Sequence, residues 1–152
     1  MAKNTVKVRC YLNIIDEEKA GGVITPGMLV VLGSANTVIA HAAAGGNVAP
    51  KFALEDNLQG KGVDDNYASG DMVQSWTPTR GDRVYALLKA SSTAVAIGDF
   101  LESAGNGTLQ KHVADEVSSA GALTSNTNQI VAIAKEAVTP GTSSVRCIVE
   151  VI

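Results

Sequence analysis

Aromatic side chains are scarce in this chain: one tryptophan, three tyrosines and two phenylalanines among 152 residues. A core built with so few has to rest on valine, isoleucine, leucine and alanine, and the first two of these favour sheets. Cysteine is scarcer still. Cys10 and Cys147 stand almost a chain length apart, and the absence of a Cys-x-x-Cys pair or a histidine at ligand spacing argues against a structural metal. Both lie in apolar alternation, Val8-Arg-Cys10 and Val145-Arg-Cys147, and are expected to be small buried side chains rather than a disulfide. No apolar run approaches the ~18 residues of a membrane helix. Net charge is −3 and the basic residues are scattered, so a phosphate-tracking stripe is missing and nucleic acid is not an expected partner. No apolar leader follows Met1-Ala-Lys-Asn, and the expectation is synthesis and folding in a reducing cytoplasm.

The vocabulary of catalysis is absent as well. There is no glycine-rich phosphate cradle, no Gly-x-Ser-x-Gly elbow and no His-Glu-x-x-His. Asp64, Asp65 and Asp71 lack the alternating spacing of a calcium loop, so a solvated acidic loop is the better reading. His41 and His112, the only histidines, have no positioned partner in the sequence and read as ordinary strand residues. Arg80-Gly81-Asp82 reads as a turn before a strand, and Asn106-Gly-Thr108 as a hairpin tip. The chain is expected to use no cofactor, metal or small-molecule substrate, and to catalyse nothing.

What is present is a hairpin written twice. Ile24-Thr-Pro-Gly-Met-Leu-Val30 leads to Thr37-Val-Ile-Ala-His41, and Val95-Ala-Ile-Gly-Asp-Phe-Leu101 leads to Thr108-Leu-Gln-Lys-His112. Gly27 and Gly98, Thr37 and Thr108, and His41 and His112 each lie 71 residues apart. Fifteen glycines supply many tight turns. The length suits one domain. The fold class is mainly β: a compact barrel- or sandwich-like single domain, residues 1–152, with a duplicated hairpin unit and long polar loops.

Along the chain, residues 5–14 alternate, with Val6, Val8, Cys10, Leu12 and Ile14 on one face, and predict a half-buried strand. Residues 16–22 predict a polar turn. Strands are expected at 28–32, 37–42, 51–55, 72–76, 82–89, 130–134 and 145–152, with the second hairpin at 98–113. Residues 114–128 predict a loop with one helical turn. The two end strands share Val-Arg-Cys, and their pairing would bring Lys7 or Arg9 near Glu150. Residues 55–71 break the rhythm with five carboxylates against Lys61. A polar connection of that length in a compact domain is usually functional, so Glu55, Asp56, Asp64, Asp65 and Tyr67 are interface candidates on an exposed excursion. Trp76 has two readings, core packing or interface anchor.

Three groups of phrases point to a family: Ile24-Thr-Pro-Gly-Met-Leu-Val30; Phe52-Ala-Leu-Glu-Asp56 with Tyr67-Ala-Ser-Gly-Asp-Met-Val73; and Ile130-Val-Ala-Ile-Ala-Lys-Glu-Ala137 with a final strand ending at Ile152. In these the chain resembles the bacteriophage capsid decoration, or cement, proteins of the lambda type. The resemblance implies a homotrimer on the outer surface of the expanded capsid, a virion protein that staples neighbouring major capsid subunits. Residues 55–71 have no counterpart in that pattern. The alternative, from another class, is a small β-barrel binding or accessory domain of a bacterial enzyme.

Overall fold

The computed structural model describes residues 3–117, 121, 123–125 and 127–152. Among the described residues thirteen strands follow in chain order: β1 (Lys7–Arg9), β2 (Ile15–Ala20), β3 (Val30–Leu32), β4 (Thr37–Ala40), β5 (Phe52–Ala53), β6 (Met72–Trp76), β7 (Arg83–Leu88), β8 (Phe100–Gly105), β9 (Thr108–Lys111), β10 (Glu116–Val117), β11 (Leu123–Thr124), β12 (Ile130–Ala134) and β13 (Val145–Val151). With 41% strand and 4% helix, the expected mainly-β class holds.

The hairpin repeat extends to whole barrels. One sheet runs β1-β7-β13-β12-β8-β9 and closes through a β7–β9 pair, and the other runs β3-β4-β2-β6-β5. In the second sheet β3 returns to β5 through the Leu29–Phe52 bridge and the bond from Val30 N to Lys51 O. Each five-strand circuit has the same order, with β2, β3, β4, β5 and β6 matching β7, β8, β9, β12 and β13. Five strands cannot alternate direction around a closed ring, so one neighbouring pair must be parallel. It is β2–β4 in the first barrel and β7–β9 in the second. Backbone bonds repeat too. His41 N donates to Leu29 O and His112 N to Phe100 O, Gly27 N to Ala53 O and Gly98 N to Ala134 O, and the Ile24–Tyr67 bridge recurs as Val95–Val138.

One turn punctuates both barrels. Among the described residues it recurs before β3, β6, β7 and β8, in Thr25–Met28, Ala68–Asp71, Thr79–Asp82 and Ala96–Asp99. In each, the fourth N–H donates to the first carbonyl and the third residue is a glycine at φ 88–93°. That is a type II turn, which glycine adopts without a Cβ penalty. In the last three an aspartate side chain reaches back to the first N–H, at 2.7–2.8 Å. Arg80-Gly81-Asp82 is therefore one instance of a structural turn. Asn106-Gly107, with φ 51° and 71°, is the type I′ tip of β8–β9.

Strand alternation sorts side chains between a barrel interior and a barrel junction. Val30, Val38, Ala53 and Val73 fill the first barrel. Their out-facing neighbours Leu29, Phe52 and Trp76 join a second cluster with Val84, Leu101, Leu109, Val131 and Val149 of the other barrel. Trp76 is thus a core residue where the two barrels meet.

Several expectations need correction. The strand expected over 5–14 is ordered as β-structure only at Lys7–Arg9. A register shift occurs there, and beyond it the backbone is captured by Asp82 and Trp76, which leaves Cys10, Leu12 and Ile14 exposed. Cys147 is buried as expected, and burial, helped by Glu136, pushes its thiol up to about 12. The polar turn expected at 16–22 is instead strand β2, between β4 and β6. Lys51 neutralises its charges, 3.0 Å from Asp16 and 2.8 Å from Glu18. In place of a helical turn in 114–128, β10 and β11 form a short antiparallel ladder; residues 118–120, 122 and 126 of that stretch lie outside the described ones. The two end strands share a sheet but are separated by β7. Arg9 still reaches Glu150 at 3.1 Å, alongside Arg83 and Lys135. Lys7 bonds Asn13 instead.

Candidate functional site

Residues 55–71 form a packed excursion with exposed knuckles rather than a free loop. Glu55 is buried, accepting from Val6 N at 2.9 Å and Asn57 Nδ2 at 3.2 Å. Asp56 is also buried and caps the short 3-10 turn Asn57–Gln59 through Gln59 N. Tyr67 is buried with its hydroxyl on Leu54 O at 2.9 Å. Trp76 donates to Leu12 O at 3.0 Å. Of the candidates, only Asp64 and Asp65 are exposed. Asp65 accepts from Gly62 N, and Asp64 lies 3.4 Å from Arg146.

Arg146 clamps this excursion to the second barrel. Its guanidinium donates to Pro26 O at 2.7 Å and to Val63 O, and stacks over Tyr85 at 5.7 Å. Around it opens a groove of about 680 Å³ between the barrels, lined among others by Lys3, Met28, Asp64, Tyr85 and Leu87. With Arg146 committed to carbonyls, the groove presents mixed polar and aliphatic walls.

Apolar side chains are exposed elsewhere, in residues 11–14, of which the sequence pattern assigned Leu12 and Ile14 to the buried face. Tyr11, Leu12 and Ile14 are 66%, 55% and 52% exposed, and residues 10–15 contain no charge. Their backbone is fixed: Tyr11 N donates to Asp82 Oδ1 at 2.6 Å, Leu12 O accepts from Trp76, and Ile14 O accepts from Thr77 N. Exposed apolar side chains grouped in this way make the strip a candidate contact surface. The signal in the sequence was its alternation, which identifies apolar residues but not the face they cover.

Both histidines are tied into the fold by hydrogen bonds. His41 Nδ1 is 2.7 Å from Ser103 Oγ and joins β4's end to β8. Burial lowers its pKa, against a backbone bond with Asn47. His112 Nδ1 lies 2.7 Å from buried Glu102, which Gln110 and Asn128 also contact. Burial works against the Glu102 carboxylate, yet these bonds leave its pKa lowered overall. For His41 the linkage has a definite sign. Between the ordinary value of 6.5 and its lowered folded value, the unfolded chain takes up a proton that the folded chain refuses, so stability falls with pH. Above 6.5 its contribution is fully present. In His41→Asn the urea midpoint is expected to fall less between pH 7.5 and 5.5 than in the wild type, and equal slopes would contradict this.

No family model matches the chain, and no curated protein matches it. A solved structure does: the N base of the head fiber gp8.5 of bacteriophage phi29 superposes over 93% of this chain and 95% of that one. The TM-score is 0.56 and the sequence identity 13%. The two proteins share a fold.

Proposed function

We propose that this chain is a structural protein of a phage virion, which binds the outer surface of the expanded head without catalysing a reaction. The observation that carries this reading is the fold likeness to a phage head fiber base over nearly the whole of both chains. The lambda-type phrases in the sequence add to it independently. The chain acts as a homotrimer that staples neighbouring major capsid subunits. A trimer docking on several subunits gains avidity from contacts that are individually weak, and a closed assembly suits a three-fold site. The 10–15 strip is the surface assigned to the major capsid protein: its order precedes binding, so little freedom is lost on contact.

Purified protein mixed with expanded, undecorated heads of its own phage is expected to co-sediment to saturation, and to bind unexpanded shells poorly. Leu12→Asp with Ile14→Asp is expected to weaken co-sedimentation at least 10-fold, because charge on a desolvated apolar contact is costly, with the thermal midpoint little changed. Failure of the wild-type protein to bind mature heads would overturn the reading. Undiminished binding by the double variant would remove the strip from it.

A further inference from the structure

Cations that the sequence scatters are gathered by the fold around the 10–15 strip. The Arg9 guanidinium lies 5.3 Å from the centroid of the Tyr11 ring and donates to Gly81 O. Lys7 reaches Asn13 Oδ1 at 2.8 Å. Tyr11 in turn covers the turn before β7, where a Cβ on Gly81 would lie 3.6 Å from its Cε2. Exposed Arg80 precedes that glycine. Arg83 opens β7 and stands opposite Glu150 of β13, and Lys135 follows β12 on the far side of the same glutamate.

Few carboxylates answer these five cations. Glu150 is shared by three of them, with Arg9 and Arg83 at 3.1 Å and Lys135 at 3.3 Å. Burial works against the Glu150 carboxylate, yet Arg83 and Lys135 leave its pKa lowered, so it stays charged and the cluster around it stays positive. Asp82 is fully buried and spends its oxygens on Tyr11 N, Thr79 N and Thr79 Oγ1. Glu136, next to Lys135, accepts from Ile148 N at 2.7 Å. Donors are left over as well. Arg83 bonds through Nε alone, so the two terminal nitrogens of its fork have no partner among the described residues. The Arg9, Arg83 and Lys135 side chains are 40%, 38% and 30% exposed and can be reached from solvent.

Positive charge thus borders an uncharged apolar strip on a chain whose net charge is −3. A guanidinium fork matches a planar carboxylate and binds it through two parallel bonds. A phosphate backbone would gain nothing from Leu12 and Ile14 and would meet Glu150 in the middle of the cluster. The same face of a second copy would set cation against cation. A protein surface that carries carboxylates around an apolar centre satisfies both parts at once.

We infer that the strip and its cationic rim (Arg9, Arg80, Arg83, Lys135) receive an apolar protein surface flanked by carboxylates, one of them taken by the unused terminal nitrogens of Arg83. The inference rests on the virion-binding reading, which assigns the strip to the major capsid protein, and adds that the surface met there is acidic. Charges at a rim act mainly on the rate of encounter and on its salt dependence, whereas the desolvated centre governs the rate of separation.

Binding of the full chain to expanded, undecorated heads at rising salt tests it. Wild-type affinity is expected to fall as salt approaches ~1 M, where the screening length is ~3 Å. The triple variant Arg80→Gln, Arg83→Gln, Lys135→Gln should bind about 10-fold more weakly at low salt, through slower association, and match the wild type near ~1 M. Thermal melts confirm folding. Should the triple variant melt early, Arg80→Glu at its exposed turn position takes its place with the same expectation. Equal affinity of variant and wild type at low salt, or wild-type binding that ignores salt, overturns the acidic partner and leaves head binding through the strip standing. A wild type that does not bind heads overturns the inference together with the reading beneath it. A triple variant that changes the mass of the free protein in light scattering would assign the cations to a second copy. One that abolishes a wild-type retention on duplex DNA would assign them to phosphates, and either result overturns the inference.

Discussion

Gly27→Ala is expected to destabilise the protein by about 2–5 kcal/mol, and Gly98→Ala by only about 1–2 kcal/mol, although both occupy the third position of the same turn. The backbone cost is common to the two, since φ is 88° at one and 91° at the other and a Cβ there is strained by about 1–2 kcal/mol. The surroundings differ. At Gly27 the new methyl meets the Tyr85 carbonyl and the Arg146 guanidinium at 2.7 Å, and a backbone neighbour cannot swing aside as a flexible side chain can. Leu87 N also donates to Gly27 O at 3.2 Å, so relief requires the barrels to part, at an overpacking cost of about 1–3 kcal/mol. At Gly98 the methyl points into open space. Chemical denaturation of the two variants beside the wild type reads the difference directly, and similar losses would mean that the barrel junction yields more readily than its geometry implies.

Asp82→Ala is the second large effect. This carboxylate is fully buried and accepts three bonds: from Tyr11 N at 2.6 Å, Thr79 N at 2.7 Å and Thr79 Oγ1 at 2.9 Å. Hydrogen bonds to a charged acceptor contribute about 1.5–3 kcal/mol each, less when summed because they share a centre. The expected loss is about 3–4 kcal/mol. Asp71→Ala, at an exposed copy of the same turn, should lose about 1 kcal/mol. Asp82 differs from its turn relatives in also holding the apolar strip. Hydrogen exchange at Tyr11 is therefore expected to accelerate in Asp82→Ala more than exchange across β7 and β13. Uniform acceleration would mean that the strip has no independent anchor there.

The fold was legible wherever the sequence speaks through turns and alternation, and illegible where tertiary context decides. Gly-Asp before Met72, Arg83 and Phe100 marks strand entry by a local mechanism that needs no partner. β2 escaped notice because Asp16, Glu17 and Glu18 carry no apolar face; Lys51, more than thirty residues away, makes that strand possible. The duplication was visible only in its hairpins for a geometric reason. Ala53 and Ala134 are equivalent at a spacing of 81 residues, whereas Tyr67 and Val138 return to 71. A longer connection before β12 is offset by a shorter one after it, so an unbroken shift fails in the middle. Among the candidate site residues, charge correctly marked Asp64 and Asp65 as exposed. It misled at Glu55 and Asp56, whose carboxylates find backbone N–H partners, and aromatic size misled at Tyr67, which fills the core; at Trp76 the core-packing reading holds.

Closure of both barrels leaves very little strand edge in the described protein. Among the described residues, the free edges outside the two-residue β10–β11 ladder are β1, three residues long with Lys7 and Arg9, and the Ile15–Glu18 part of β2, which pairs only with β6 and carries Asp16, Glu17 and Glu18. Short, charged edges resist the addition of a further strand. Copies of this chain can therefore be crowded together without templating one another through their backbones, and whatever they join must be gripped by side chains.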